Sequence, residues 1–397
     1  MKLFSKYALF LILQMILSRS ALAKPLKVFI LAGQSNMDGQ AHVRTIDFLG
    51  EDKDPKRAAL LKTFKPDGEN LITREDVWVA NSGVYGKLQP GFGGRRNYSK
   101  LGNNIGPEYA FGQYIGEALE EQVLLIKFAP GGQSLHVNFR PPSAGKTGNA
   151  KLDEQVLLIK FAPGGQSLHV NFRPPSAGKT GNAKLDEKVL TKEAADKWNG
   201  GRQEPIVGLQ YRQMVRYIHS TLDNLEKHFP EYDAKAGYEI EGLVWFQGFN
   251  DLFDVTGRQQ YGQNLVHLIK DLRKEFKAPD MKVVVGVMGV NGPFNEVNPK
   301  QRDVRNGQRS INKVEEFQGN AKAIETAQLL HPEIVAIKTA GWLNKDRDLK
   351  KDPLSEEEKG MLSRATSNQG YHYYGEGRFF ILVGKAFAET MLELMDL

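Results

Sequence analysis

Five short apolar runs set among amphipathic stretches constrain this chain more than any other feature. They are Leu26–Ala32, Val123–Ala129, Gly242–Phe246, Lys282–Met288 and Glu333–Thr339. Each is rich in Val, Ile, Leu or Phe and alternates little, as strands covered on both faces do. Helical patterns occupy Pro107–Glu120, Gly208–His228, Gln259–Phe276, Val314–Leu330 and Glu376–Leu394. In the second, Leu209, Met214, Ile218, Leu222 and Leu225 recur at helical spacing. Strands alternating with helices predict a three-layer α/β/α domain around a five-stranded parallel sheet. Two polar stretches rich in Gly, Pro and Lys, residues 39–106 and 131–206, follow strand ends. Folds of this class build their sites there.

Residues 121–153 recur without one change as residues 154–186. Solenoid repeats diverge and come in threes or more, so two identical 33-residue copies read as a duplication, one copy in the fold and one inserted. The helical pattern ending at Glu120 runs straight into Val123–Ala129. That short link is the normal α/β connection, so the first copy is expected in the sheet and the second as an extension of the following loop. Each copy also contains Ser-Ala-Gly-Lys-Thr, the ending of a phosphate-binding loop. The glycine that motif requires falls at Arg140 and Arg173, and no strand leads into it, which excludes nucleotide binding there.

The first 23 residues read as a leader rather than fold. Lys2 and Lys6 precede an apolar core, Tyr7 to Leu17, and Ala21-Leu22-Ala23 is a small-residue cleavage site. Cleavage after Ala23 would leave residues 24–397 as a single domain, exported to a periplasm or secreted. The apolar core is too short for a membrane span. Removing Lys2, Lys6 and Arg19 takes the formal charge from +6 to +3. So mild an excess does not call for nucleic acid or an anionic membrane as partner. Cysteine is absent, which excludes disulfides and thiolate metal sites. A core of this size holds without them.

Four segments carry chemistry, three of them directly behind apolar runs. Gly33-Gln34-Ser35-Asn36 follows the first run, so Ser35 would sit in a strand-to-helix turn with its N–H and hydroxyl facing one space, as a nucleophile requires. A serine there also serves as a plain helix cap. Pro130-Gly131-Gly132-Gln133-Ser134 follows the second run, and its glycines allow backbone N–H groups close to a ligand. Gln247-Gly248-Phe249-Asn250-Asp251 follows the third run and offers an amide donor in Asn250. His372, between aromatic residues just ahead of the last helix, is the candidate general base.

In this order the four segments resemble the blocks of SGNH-type serine hydrolases, nearest the sialate O-acetylesterase-like and carbohydrate esterase family six group. The resemblance runs from Lys27 to about Ala388. It implies a flavodoxin-like fold and acyl transfer from an acetylated carbohydrate, such as xylan or a sialic acid. It further implies Ser35 as nucleophile and His372 as base. Gly131, Gly132 and Asn250 join the Ser35 N–H as oxyanion donors, with Gln34 and Gln247 against substrate. No metal or organic cofactor is implied. Polar and aromatic loops at Trp78–Tyr85 and Gly91–Tyr98 lean towards sugar rather than lipid.

One departure stands out. The family usually has Asp three residues before the histidine, and this chain has Gln369, preceded by Asn368. Either amide oxygen could accept from the imidazole, but neither carries charge. In the serine-protease precedent an amide in the acid's place costs about 10⁴-fold, largely through the wrong tautomer. Asp251 is the first candidate for a substitute acid and Glu376 the second. If both are structural, the chain reads as a weak esterase or a carbohydrate-binding relative. A non-sugar ester is the other alternative substrate.

Overall fold

The structure, a computed structural model, describes residues 24–94, 100–153, 156–158, 203–205, 208–293 and 298–397. The leader, most of the second repeat copy and part of Gly91–Tyr98 lie outside these residues. A seven-stranded sheet organises the chain: β1 (Leu26–Gly33), β2 (Arg74–Asn81), β3 (Val84–Leu88), β4 (Val123–Phe128), β5 (Tyr238–Phe246), β6 (Lys282–Val287) and β7 (Ala321–Glu325). Their order is β7-β6-β5-β1-β4-β2-β3. All neighbours run parallel except β3, which returns antiparallel against β2 at one edge.

The sheet therefore has two strands more than the five expected, and one expected strand is a helix. Pro332–Lys338 is helical because proline suits the first helical position. Its Ile334, Val335 and Ile337 are buried while Glu333 and Lys338 face solvent. The parallel edge strand is instead β7, within the segment whose pattern predicted a helix over Val314–Leu330. Ala321 and Ala323 are buried and Lys322 and Ile324 half-buried, the alternation of an edge position. β2 and β3 fall in the stretch read as loop. Trp78 is buried against Phe229, with centroids 4.9 Å apart, and Tyr85 stacks on His228 at 3.6 Å. The Trp78–Tyr85 segment is thus a hairpin packed on the body, and its rings are not a sugar platform.

Helices cover both faces. After the one-turn helix α1 (Ser35–Asp38) come α2 (Pro107–Ala118), α3 (Leu209–Leu222), α4 (Tyr261–Glu275), α5 (Pro299–Arg309), α6 (Pro332–Lys338) and α7 (Gly377–Leu394). α2 and α7 pack together on one face. Adjacent residues of β5 reach opposite layers: Phe246 meets Phe387 of α7, while Trp245 donates to the Tyr261 hydroxyl of α4 at 3.2 Å. Among the described residues, no helix is long and apolar enough to cross a membrane.

The first repeat copy supplies β4, paired on one side with β1 and on the other with β2. In the second copy, Val156–Leu158 pairs antiparallel with Gln203–Pro205, apart from the central sheet.

One residue of β4 breaks its apolar pattern. Lys127 is fully buried, and its ammonium donates to Glu108 Oε2 of α2 (2.7 Å), Asp38 O (2.7 Å) and Phe92 O (3.1 Å). Three acceptors match its three protons, and one of them closes the end of α1. Glu108→Gln leaves that ammonium buried beside an uncharged amide. It should lower stability by about 3–5 kcal/mol, read from the midpoint of urea unfolding. A loss under about 1 kcal/mol would mean that water reaches Lys127.

Candidate active site

β1 lies mid-sheet, where the strand order runs outward both ways, and a crevice opens at the carboxyl ends of such strands. The ends are level: Ala32 pairs with Phe128, and Gly33 with Phe246. A Cβ on Gly33 would lie 2.2 Å from Phe246 O, so only glycine lets β1 finish so close to β5. Ser35 opens α1 behind it and is half-buried. Among the described residues its hydroxyl makes no hydrogen bond.

A buried hydrogen bond brings the histidine segment to this turn. Asn36 Nδ2 donates to the Tyr373 hydroxyl at 2.9 Å, so the residues next to Ser35 and His372 are bonded to each other. Tyr373 is fully buried, stacked on Phe379 at 4.1 Å and on Phe246 at 5.7 Å. Tyr373 and Tyr374 have φ of 53° and 59°. Left-handed backbone costs a non-glycine residue about 1–2 kcal/mol, and tertiary packing holds both there. No hydrogen bond joins His372 to Ser35 in this conformation. Catalytic bonds commonly tighten only once substrate is bound.

Among the described residues the imidazole has one polar partner, Asn368, whose Oδ1 lies 3.1 Å from Nδ1. The same oxygen accepts from the Gln369 N–H at 2.8 Å, which fixes the amide's orientation. Nδ1 must then carry the proton, leaving the Nε2 lone pair free. Burial alone holds the His372 pKa below its ordinary value, which favours the neutral base.

Neither substitute acid reaches the imidazole. Asp251 is fully buried, and its carboxylate accepts from Leu135 N–H, His136 N–H (both 2.9 Å) and Gln247 Nε2 (2.7 Å). Burial pushes its pKa up to about 6, against these three bonds. It anchors the loop after β4. Glu376 is buried against Arg378 (3.2 Å) and the His331 N–H (3.3 Å), with burial pushing its pKa up to about 7. Asp251 and Glu376 are thus structural, because each serves a buried cation or backbone donors instead of His372.

The oxyanion candidates stand at the mouth. Gly131 and Gly132 are exposed, Gly132 with φ +71°, a conformation that favours glycine. The N–H groups of Ser35, Gly131 and Gly132 are not used in hydrogen bonds among the described residues. Asn250 Nδ2 donates to Gly132 O at 3.0 Å, so the amide braces the glycine turn beside them. Gln34 and Gln247, expected against substrate, are buried instead. Gln247 Nε2 meets Gln34 Oε1 (3.0 Å), Gln133 O (2.8 Å) and Asp251 Oδ2, while Tyr261 donates to Gln247 Oε1 at 2.9 Å. Their amides tie strand ends together. Among the described residues, no three His, Asp or Glu side chains gather to hold a metal. Asn36, Tyr373 and Lys127 are the positioning residues that sequence reading missed. A polar residue inside an apolar strand signalled Lys127; nothing comparable marked Tyr373.

A sequence model of the carbohydrate esterase, sialic acid-specific acetylesterase family matches residues 25–147 and 144–333. The chain belongs to this family. The match contains the first three blocks and breaks within the duplicated stretch, while Asn368 and His372 lie beyond it. A protein of Arabidopsis thaliana described as "Probable carbohydrate esterase" is 32% identical over 72 residues, 18% of this chain and 28% of that relative's length. Among solved structures, NanS is 12% identical, covering 94% of this chain and 99% of that one, with a TM-score of 0.46. A carbohydrate acetylesterase from Xanthomonas citri is 11% identical over 77% of this chain and 50% of that one, with a TM-score of 0.40.

In this esterase-family chain, Asp251→Asn places an NH2 group against a backbone or amide donor. Stability should fall by about 1–3 kcal/mol in urea unfolding, with the pH midpoint of ester hydrolysis unchanged. A moved midpoint at unchanged stability would make Asp251 the catalytic acid.

Proposed function

We propose that the chain is an exported serine esterase that removes O-acetyl groups from carbohydrate. The proposal includes residues 24–397 as one SGNH-type, flavodoxin-like domain behind a leader cut after Ala23. The observation that supports it most is the Asn36–Tyr373 bond, which joins the turn of the candidate nucleophile to the turn of the candidate base at the carboxyl ends of the strands. Ser35 Oγ attacks the acetyl carbonyl carbon while its proton passes to His372 Nε2. Negative charge on the carbonyl oxygen falls to the N–H groups of Ser35 and of the Gly131-Gly132 turn, with Asn250 bracing or joining them. Collapse expels the sugar alkoxide, which takes the proton from His372. Water then attacks acetyl-Ser35 with His372 again as base, releasing acetate and restoring the serine.

Asn368 takes the place of the usual acid. The wrong tautomer, the main penalty in the protease precedent, is avoided because its oxygen accepts from Nδ1–H. What is lost is charge to steady the imidazolium. This favours a slow esterase, and it is the one observation that also supports the alternative of a binding relative with residual activity.

Incubation with p-nitrophenyl acetate, acetylated xylan and an O-acetylated sialic acid tests the reading. Ser35→Ala should lower acetate release by at least about 10³-fold, and a fluorophosphonate should label the parent chain at Ser35. Equal release from both proteins, or no labelling, would leave only the binding relative. N-terminal sequencing of the exported protein should begin at Lys24.

The pH dependence follows from His372. The base works when neutral and its pKa is held low, so kcat/KM should rise with pH and level off below the ordinary histidine value. Asn368→Asp should move that midpoint up by about one unit or more, because the carboxylate favours the charged ring. An unmoved midpoint would exclude Asn368 as the partner of His372.

A further inference from the structure

A cavity of about 540 Å³ lies beside the histidine loop and shares only Asn368 with the acyl-transfer groups above. One wall is formed by Asn368 to Tyr371, directly ahead of His372, and another begins at Phe249, next to Asn250. Neither Ser35 nor His372 lines it. Three large rings on its walls are left in water: Phe253 is 71% exposed, Trp342 55% and Tyr371 46%. A rim of exposed rings marks a contact site.

The charge that the described residues bring to the cavity is one-sided. Lys300 and Lys338 line it, both are exposed, and among the described residues neither ammonium makes an ion pair or hydrogen bond. Among the described residues, no Asp or Glu lines it. An acyl chain would need a continuous apolar wall, which two ammonium groups and several side-chain amides interrupt. A pyranose offers an apolar C–H face for the rings and hydroxyls for the amides, and a carboxylate on it answers the lysines.

We propose that this cavity is an accessory glycan subsite. It takes a sugar unit bearing a carboxylate, beyond the ring that carries the scissile acetyl group. Its link to catalysis rests on the esterase reading; the binding itself does not.

The test uses the Ser35→Ala chain, which cannot turn over, titrated by calorimetry at low salt. The probes are xylotetraose and the same oligosaccharide carrying one glucuronate. The acidic probe should bind about tenfold more tightly, an advantage that shrinks as salt rises. Lys300→Met with Lys338→Met should erase it, and arginine at both positions should keep it. Trp342→Ala should weaken both probes by about tenfold. Thermal melts of each variant separate lost binding from lost fold. Equal affinity for the two probes, or an advantage that survives in the double methionine variant, overturns the proposal. Hydrolysis of p-nitrophenyl acetate by the parent chain is scored separately. Activity without acidic preference defeats the subsite alone, and acidic preference without activity defeats the esterase reading alone.

Discussion

The site depends on one buried knot of polar groups centred on Gln247. Its amide nitrogen meets three acceptors, one on the turn after β1, one on the loop after β4 and one on Asp251 after β5. Tyr261 donates to its side-chain oxygen, and Gln308 Nε2 donates to its main-chain oxygen at 2.7 Å. A buried amide left unpaired would be costly, so a network this fully satisfied holds a single arrangement. The three strand ends therefore cannot drift independently, and the glycine turn keeps its place beside Ser35. The residues most expected to touch substrate, Gln34 and Gln247, build the floor beneath it.

The opposite wall is held by different physics. Tyr373 is a large ring in the core with its hydroxyl on Asn36, and its backbone adopts a conformation that it would avoid in isolation. Packing over-determines the loop, and His372 follows from it. The imidazole is oriented by a neutral amide oxygen, which sets the tautomer without supplying charge. Orientation and electrostatic support, joined in one carboxylate in most such sites, are separated here. Below the turn, Lys127 ties the end of α1 to α2 through Glu108.

The duplication leaves this scaffold intact. Both edges of β4 are taken by β1 and β2, so a second identical strand has no place in the sheet at that position. Its described segment pairs with Gln203–Pro205 instead. Two copies of one sequence thus occupy different surroundings, because the available hydrogen-bonding edge and not the local sequence decides which is central.

Much of the fold was legible. Runs buried on both faces, such as Leu26–Ala32 and Lys282–Met288, lack alternation whatever surrounds them, and amphipathic helices such as Tyr261–Glu275 show their period. Edge elements were not. Ala321–Glu325 is half-exposed and short, and Glu333–Thr339 is apolar enough for a strand until Pro332 starts a helix. Of the site, the order of Ser35, Gly131-Gly132, Asn250 and His372 was in the sequence, since each block sits at a predictable place along the chain. Which polar group serves which partner was not. Asp251 and Asn368 were both within reach of His372 on paper. Only the tertiary structure assigned Asp251 to the backbone of Leu135 and His136 and Asn368 to the imidazole. Sequence determines which groups are present and on which element. The choice among hydrogen-bond partners is a competition over a few ångströms, decided where separate segments of the chain meet.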